Sequence, residues 1–267
     1  MTRTLWRRIR GLVVLLSPLC LMLAACKNPS GRIIVNADPE GNVKPMSASS
    51  PSNSPIMSGP IVYVALGDST GSGVGATEGG YVARLFKRIL THRAGSRLIN
   101  LCYSGATTAD VLRDQLGSGI RATPHLVTLG IGINDIGHGV SLEQFSKNYE
   151  EIVAQLKNNT NATIVVTNLP DISSAPRIPV AMRSEYHQYI LEFNREIAEI
   201  ATAHGVIVYD VYTVTHEELP SHPEYFSGDG FHPSDPGYEL WANRMWPTIA
   251  RIIGVETETT GTPSRSF

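Results

Sequence analysis

The sequence predicts an α/β domain, a parallel sheet with helices packed on both faces. Three observations carry this expectation. Short β-branched apolar runs alternate with longer segments whose apolar residues recur every three or four positions. The first of the short runs, Ile61 to Leu66, is apolar throughout, as a strand buried on both faces must be. Glycine-bearing turns follow several of these runs, where open parallel sheets place their ligands.

Taken in order, the chain opens with Arg3, Arg7, Arg8 and Arg10 and then an apolar run from Gly11 to Ala25. A membrane span needs about 20 apolar residues, so this run fits a secretory signal instead. It ends in Leu23-Ala24-Ala25-Cys26, which resembles the bacterial lipobox, whose cysteine is lipidated after cleavage. Residues 1–25 are therefore expected to be a signal peptide. Cys26 is expected to carry a lipid anchor that holds an exported protein on the periplasmic or extracellular face of a bacterial membrane. Loss of the four arginines takes the formal net charge from −2 to −6, so electrostatics would not hold the chain on anionic lipid. Neither charge suggests a nucleic-acid surface. From Lys27 to Pro60 the chain is rich in Ser, Pro, Asn and Gly and reads as a flexible linker, so residues 26–60 form a tether. With Cys20 in the apolar run and Cys26 acylated, Cys102 is left without a disulfide partner.

The folded domain is expected over residues 61–254, with 42% hydrophobic residues in the chain to supply its core. After the first strand, Tyr81 to His92 reads as a helix with Val82, Leu85, Phe86 and Ile89 on one face. Arg97 to Leu101 is a second strand, and Thr108 to Leu116 a helix. His125 to Gly130 is the third strand. Ser141 and Gln144 predict a capping box on a helix reaching Lys157. Ala162 to Thr167 is the fourth strand. A proline-bearing segment, Leu169 to Val180, precedes a long helix from Ala181 to His204. Val206 to Val211 is the fifth strand, and Pro236 to Ile253 a last helix bent at Pro247. Residues 255–267 read as a disordered tail.

Four places carry chemistry. Ser69 follows the first strand in Gly67-Asp68-Ser69-Thr70-Gly71, which makes it a candidate nucleophile. A serine hydroxyl needs a base to take its proton, an acid to orient that base and donors for the oxyanion. In Ser227-Gly-Asp-Gly-Phe-His-Pro233 the spacing lets Asp229 fold back onto the His232 ring and leave its other nitrogen free. Gly105 offers an unobstructed backbone N–H and Asn134 a neutral amide donor. Each feature has a plainer reading. Ser69 could cap a helix, Asp229 and His232 could form a surface turn, and Asn134-Asp135 could be a capping pair. Gly71-x-Gly73-x-x-Ala76 also loosely matches a dinucleotide fingerprint. That motif wants an acidic residue after the next strand, which instead ends Ile-Asn-Leu-Cys.

Gly67-Asp68-Ser69, Ser104-Gly105, Gly132-Ile133-Asn134-Asp135 and Asp229-Gly230-Phe231-His232 together resemble the SGNH hydrolases, also called GDSL-type esterases. The resemblance implies a flavodoxin-like three-layer α/β/α sandwich with a five-stranded parallel sheet. It implies that Ser69 is the nucleophile, His232 the general base and then acid, and Asp229 its orienting partner. Ser69 N–H, Gly105 N–H and Asn134 Nδ2 would form the oxyanion hole. It further implies a serine esterase without cofactor or metal, acting on lysophospholipids, short acyl esters or O-acetylated glycans. The alternatives are an acyltransferase using the same three residues and a non-catalytic surface-binding lipoprotein. A monomer is expected. His216 and His222 read as lying in the same loop, without a carboxylate or cysteine at ligand spacing, so no metal site is expected there. Ile172, Ile178, Pro179, Val180 and Met182 read equally well as an acyl pocket or as core.

Overall fold

In the computed structural model, which describes residues 59–255, the chain alternates strand and helix around one sheet. The expected signal peptide, the lipidated Cys26, nearly all of the linker and the tail lie outside the described residues. The strands are β1 (Val62–Gly67), β2 (Arg97–Asn100), β3 (Leu126–Gly130), β4 (Thr163–Thr167) and β5 (Ile207–Tyr209). They pair in parallel in the order β2-β1-β3-β4-β5, the flavodoxin-like arrangement that the resemblance implies. The chain leaves β1 in one direction to form β2 and in the other to form β3. The crevice where that order reverses opens at the carboxyl ends of β1 and β3.

The alternation of side chains along β1 divides the core in two. Val64 and Leu66 point to one face, packing with Val127 and Leu129 of β3 under α6 (Leu142–Asn159) and α7 (Arg183–His204). The apolar rows Phe145, Tyr149 and Ile152 of α6 and Ile190, Phe193 and Ile197 of α7 close that layer. Tyr63 and Ala65 point to the other face, under α2 (Tyr81–His92) and α9 (Asp235–Ile252). There Val82, Leu85 and Ile89 meet Trp241, Met245 and Ile249, and Tyr81 stacks on Trp241 with ring centroids 4.7 Å apart. Pro247 lies inside α9 without ending it.

Several elements depart from the sequence reading. Ser69 opens a short helix, α1 (Ser69–Ser72), and is not its cap; Asp68 is. The helix expected over Thr108–Leu116 runs on, from α3 (Thr108–Asp110) through a π-helical stretch (Val111–Gln115) into α4 (Leu116–Arg121). Its start carries the full capping box, formed by Thr107 and Asp110. At Ser141 only half of the expected box forms. Its side chain accepts from Gln144 N–H, but the Gln144 side chain turns forward to Asn148. Two helices were not anticipated: α5 (Ile133–Gly137), and α8 (Val211–Glu218), whose Val-Tyr-Thr-Val-Thr start reads as strand. Asp210 caps α8 through Thr213 N–H, while Asn168 Oδ1 accepts from both Val211 N–H and Tyr212 N–H. Those three bonds satisfy first-turn donors and override the β-branched composition. The fifth strand is shortened to three residues as a result.

Candidate active site

At the carboxyl end of β1, Gly67 faces Gly130 of β3 across the ladder. A Cβ on Gly67 would lie 2.3 Å from the Gly130 carbonyl oxygen, and its φ of +150° is one that side chains rarely adopt. Glycine lets β1 turn sharply there, and Asp68 and Ser69 follow at once. Asp68 Oδ1 accepts from Thr70 N–H at 2.9 Å and from Thr70 Oγ at 2.8 Å, which starts α1. Burial pushes the Asp68 carboxyl above its ordinary range, against those two bonds. Ser69 is buried except for 6% of its surface.

The turn between Phe226 and Pro233 brings His232 to it. Nε2 of His232 accepts from Ser69 Oγ–H at 3.0 Å, and Nδ1–H donates to Asp229 Oδ2 at 2.5 Å. A carboxylate can only accept, so this contact fixes the tautomer and leaves Nε2 unprotonated toward the serine. The other Asp229 oxygen accepts from Ser227 Oγ–H and from the N–H groups of Phe231 and His232, at 2.8 to 2.9 Å. Burial alone would raise the Asp229 carboxyl. The donors, His232 foremost, outweigh it and hold the group well below the usual carboxylate range.

Asp235, at the start of α9, holds this turn in place. Its carboxylate accepts from Thr77 N–H, Glu78 N–H and Thr77 Oγ–H, and pairs with the buried Arg84 of α2 at 2.5 Å. The two backbone donors lead in bringing its pKa down to about 2.

Gly105 stands on the loop leaving β2, and Asn134 in the first turn of α5, just after β3. Gly105 has φ +82°, and open space lies where a Cβ would sit. Asn134 Nδ2 donates to the Ala106 carbonyl at 2.8 Å, which joins α5 to the loop after β2 and leaves the second amide hydrogen for another acceptor. Among the described residues, neither Ser69 N–H nor Gly105 N–H has a hydrogen-bond partner. The structure thus places Ser69, His232 and Asp229 in one hydrogen-bonded line, and ties Gly105 to Asn134 through Ala106.

Residues 65–240 match the model of the GDSL-like lipase/acylhydrolase family. The chain belongs to that family. Like its relatives, this acylhydrolase is a carboxylic ester hydrolase. It is 28% identical to the spore germination lipase LipC of Bacillus licheniformis over 210 residues, 69% of this chain and 94% of that protein. A GDSL-like esterase of Mycobacterium tuberculosis is 27% identical over 186 residues, and the match spans only 59% of that longer protein. Among solved structures, an acetyl xylan esterase of Geobacillus stearothermophilus superposes with a TM-score of 0.61 at 20% identity, covering 76% of this chain and 99% of its own. A lipase/acylhydrolase of Enterococcus faecalis gives 0.57 at 22% identity, covering 71% and 95%. Both likenesses speak for the fold.

The acylhydrolase also holds residues in place that sequence reasoning missed. Gln115, buried in the π-helical stretch, accepts from Gly67 N–H and donates to the Gly67 carbonyl, both at 2.8 Å. Fully buried Asp135 accepts from Thr108 N–H and Oγ–H, anchoring α5 against α3. Gln115 carries no motif, and Asp135, inside the Gly132–Asp135 block, reads only as one of a capping pair. A polar residue amid an apolar helix pattern was the only signal for Gln115.

One expectation is corrected. His216 and His222 do not share a loop, and His216 does not lack a carboxylate. His216 lies on α8 and meets Asp171, whereas His222 pairs with Glu224 at 2.8 Å. The segment offered as pocket or core divides. Ile172 lines the cleft beside Ser69, Ile178 is core, Met182 packs partly against the core, and Val180 is 78% exposed.

Proposed function

We propose that this acylhydrolase is a membrane-tethered serine esterase working through an acyl-enzyme. The 3.0 Å contact from Ser69 Oγ to His232 Nε2, with Asp229 behind the ring, carries the reading. Ser69 Oγ attacks the ester carbonyl carbon while its proton passes to Nε2. The carbonyl oxygen takes up the negative charge facing Ser69 N–H, Gly105 N–H and an Asn134 amide hydrogen. His232 then returns the proton to the departing alkoxide, and water repeats the sequence to release the acid. Asp229 steadies the imidazolium formed in each half.

The cleft beside Ser69 is walled by Ile172, Val214, Leu219, Phe226, Phe231 and Trp241. Such walls favour an acyl chain of several carbons over acetyl, since each buried CH₂ contributes about 0.8 kcal/mol. The lipase name of the Bacillus relative agrees with this preference. The basic start, short apolar run and Leu-Ala-Ala-Cys sequence support a lipid on Cys26 and export to a bacterial membrane surface.

Three experiments test the reading. With p-nitrophenyl esters from acetate to decanoate, kcat/KM should rise with chain length, and a fluorophosphonate should label wild type but not Ser69→Ala. Labelling of Ser69→Ala would dismiss the nucleophile assignment, and a maximum at acetate the acyl preference. For the tether, an alkynyl fatty acid fed to expressing bacteria should label wild type and not Cys26→Ser. An unlabelled wild-type protein would remove the anchor.

A further inference from the structure

Apart from the Ser69 array, three metal-ligand side chains from different elements meet at one point. Asp171 follows β4, His187 lies on α7 and His216 on α8. Nδ1 of His187 and Nδ1 of His216 stand 3.2 Å and 2.8 Å from the same oxygen, Asp171 Oδ2, and the three ligand atoms lie within 4.8 Å of one another. A tetrahedral zinc ion with bonds of about 2.0–2.2 Å sets its ligand atoms about 3.3–3.6 Å apart. Two of the gaps sit just below that spacing.

The surroundings prepare these atoms as ligands. Asp171 is 5% exposed, its Oδ1 accepts from Ser173 N–H at 2.9 Å, and its own N–H donates to Thr215 Oγ at 2.7 Å. Tyr212 stacks on the His216 ring at 5.5 Å and 10°, and tilts against His187 at 6.1 Å, fixing both rings as a second shell does. The His187 and His216 side chains are 26% and 55% exposed, which gives an ion a way in and room for a water ligand. One imidazolium suffices to balance one carboxylate. Two rings aim the same nitrogen at one oxygen, and an ion that displaces the two Nδ1 protons would meet three ligand atoms converging on one point.

We propose that Asp171, His187 and His216 bind a divalent transition-metal ion, which clamps the segment after β4 to α7 and α8. Two imidazoles and one carboxylate suit zinc, whereas magnesium and calcium want an all-oxygen shell. Pro170 and Ile172, on either side of Asp171, both line the cleft beside Ser69. The ion therefore braces a wall of that cleft without touching the reacting groups.

The test is calorimetric titration of the metal-stripped protein with zinc chloride. We expect saturable uptake of one ion with micromolar or tighter affinity, weakened at least about tenfold in His187→Ala and in His216→Gln. His222→Ala serves as a control and should bind as wild type does. Cobalt(II) provides a second readout, a visible absorption band that His216→Gln abolishes. His216 is half exposed, so that variant should keep the wild-type circular dichroism without metal. No saturable uptake by wild type, or undiminished uptake by the His187→Ala/His216→Gln double variant, overturns the proposal.

Discussion

The side-chain amide of Gln115 closes a two-bond ring with the peptide of Gly67, with both bonds 2.8 Å long and buried. It satisfies the last residue of β1 where the ladder ends, two positions before Ser69. Gln115→Ala should leave the buried Gly67 N–H unpaired, and its C=O with only a long bond of 3.4 Å from Tyr103 N–H, and cost about 1–3 kcal/mol of stability. Because the freed turn carries Ser69, kcat should fall more than KM rises. A urea midpoint and a steady-state titration measure the two effects; unchanged stability would mean that water replaces the amide.

Ser69→Ala should fold normally and lose about 10⁴–10⁶-fold in kcat, since the attacking oxygen is gone. His232→Ala should cost a similar factor, and the double variant scarcely more, because the two act as one unit. An additive double variant would show that they work separately. Single-turnover assays on a p-nitrophenyl ester resolve these cases.

Asn134→Ala should lower kcat by about 10²–10³ with little change in KM. The tetrahedral intermediate carries more charge on oxygen than the ground-state carbonyl does. An effect confined to KM would place Asn134 in substrate binding only. The substitution also removes the bond to Ala106, so melting temperature must be recorded beside the kinetics.

Acid should act on catalysis and on the fold in separate pH ranges. The folded-state pKa values of Asp229 and Asp235 lie below those of unfolded carboxylates, near about 4. Their stabilisation is thus fully present above that range and is lost as pH falls toward and through the folded values, about 2 for Asp235. Between pH 5 and 8 both remain ionised, whereas Nε2 of His232 must be unprotonated to take the Ser69 proton, so an acid limb of kcat/KM in that range comes from the reacting groups and not from these two carboxylates. Activity should therefore fall at mildly acidic pH while the melting temperature changes little. In Asp235→Asn the additional loss of stability near pH 3 should be smaller than in wild type. A melting curve that tracks the activity limb would contradict this separation.

Where local chemistry decides structure, the sequence was informative. The all-apolar β1, the amphipathic α2, α6 and α7, and the glycine turn before Ser69 follow from periodicity and turn residues. Asp229 and His232 were legible because three residues of chain suffice to bring carboxylate and ring together. Other features depend on partners far along the chain. Helix α8 forms from a strand-like sequence because Asn168, more than 40 residues earlier, satisfies its first donors. Gln115 meets Gly67 across 48 residues, and Asp171 meets His216 across 45. No spacing rule connects such positions; only the packed sheet does.

Ser69 and His232 lie 163 residues apart, one at the start of α1 just after the first strand and the other just ahead of the last helix. On the proposed mechanism, a chain cut anywhere before His232 keeps its nucleophile and lacks the base that activates it. Hydrolysis then requires the residue 226–233 turn to be docked against Ser69 at the start of α1, so the first and last parts of the domain must both be in place before an ester can be cleaved.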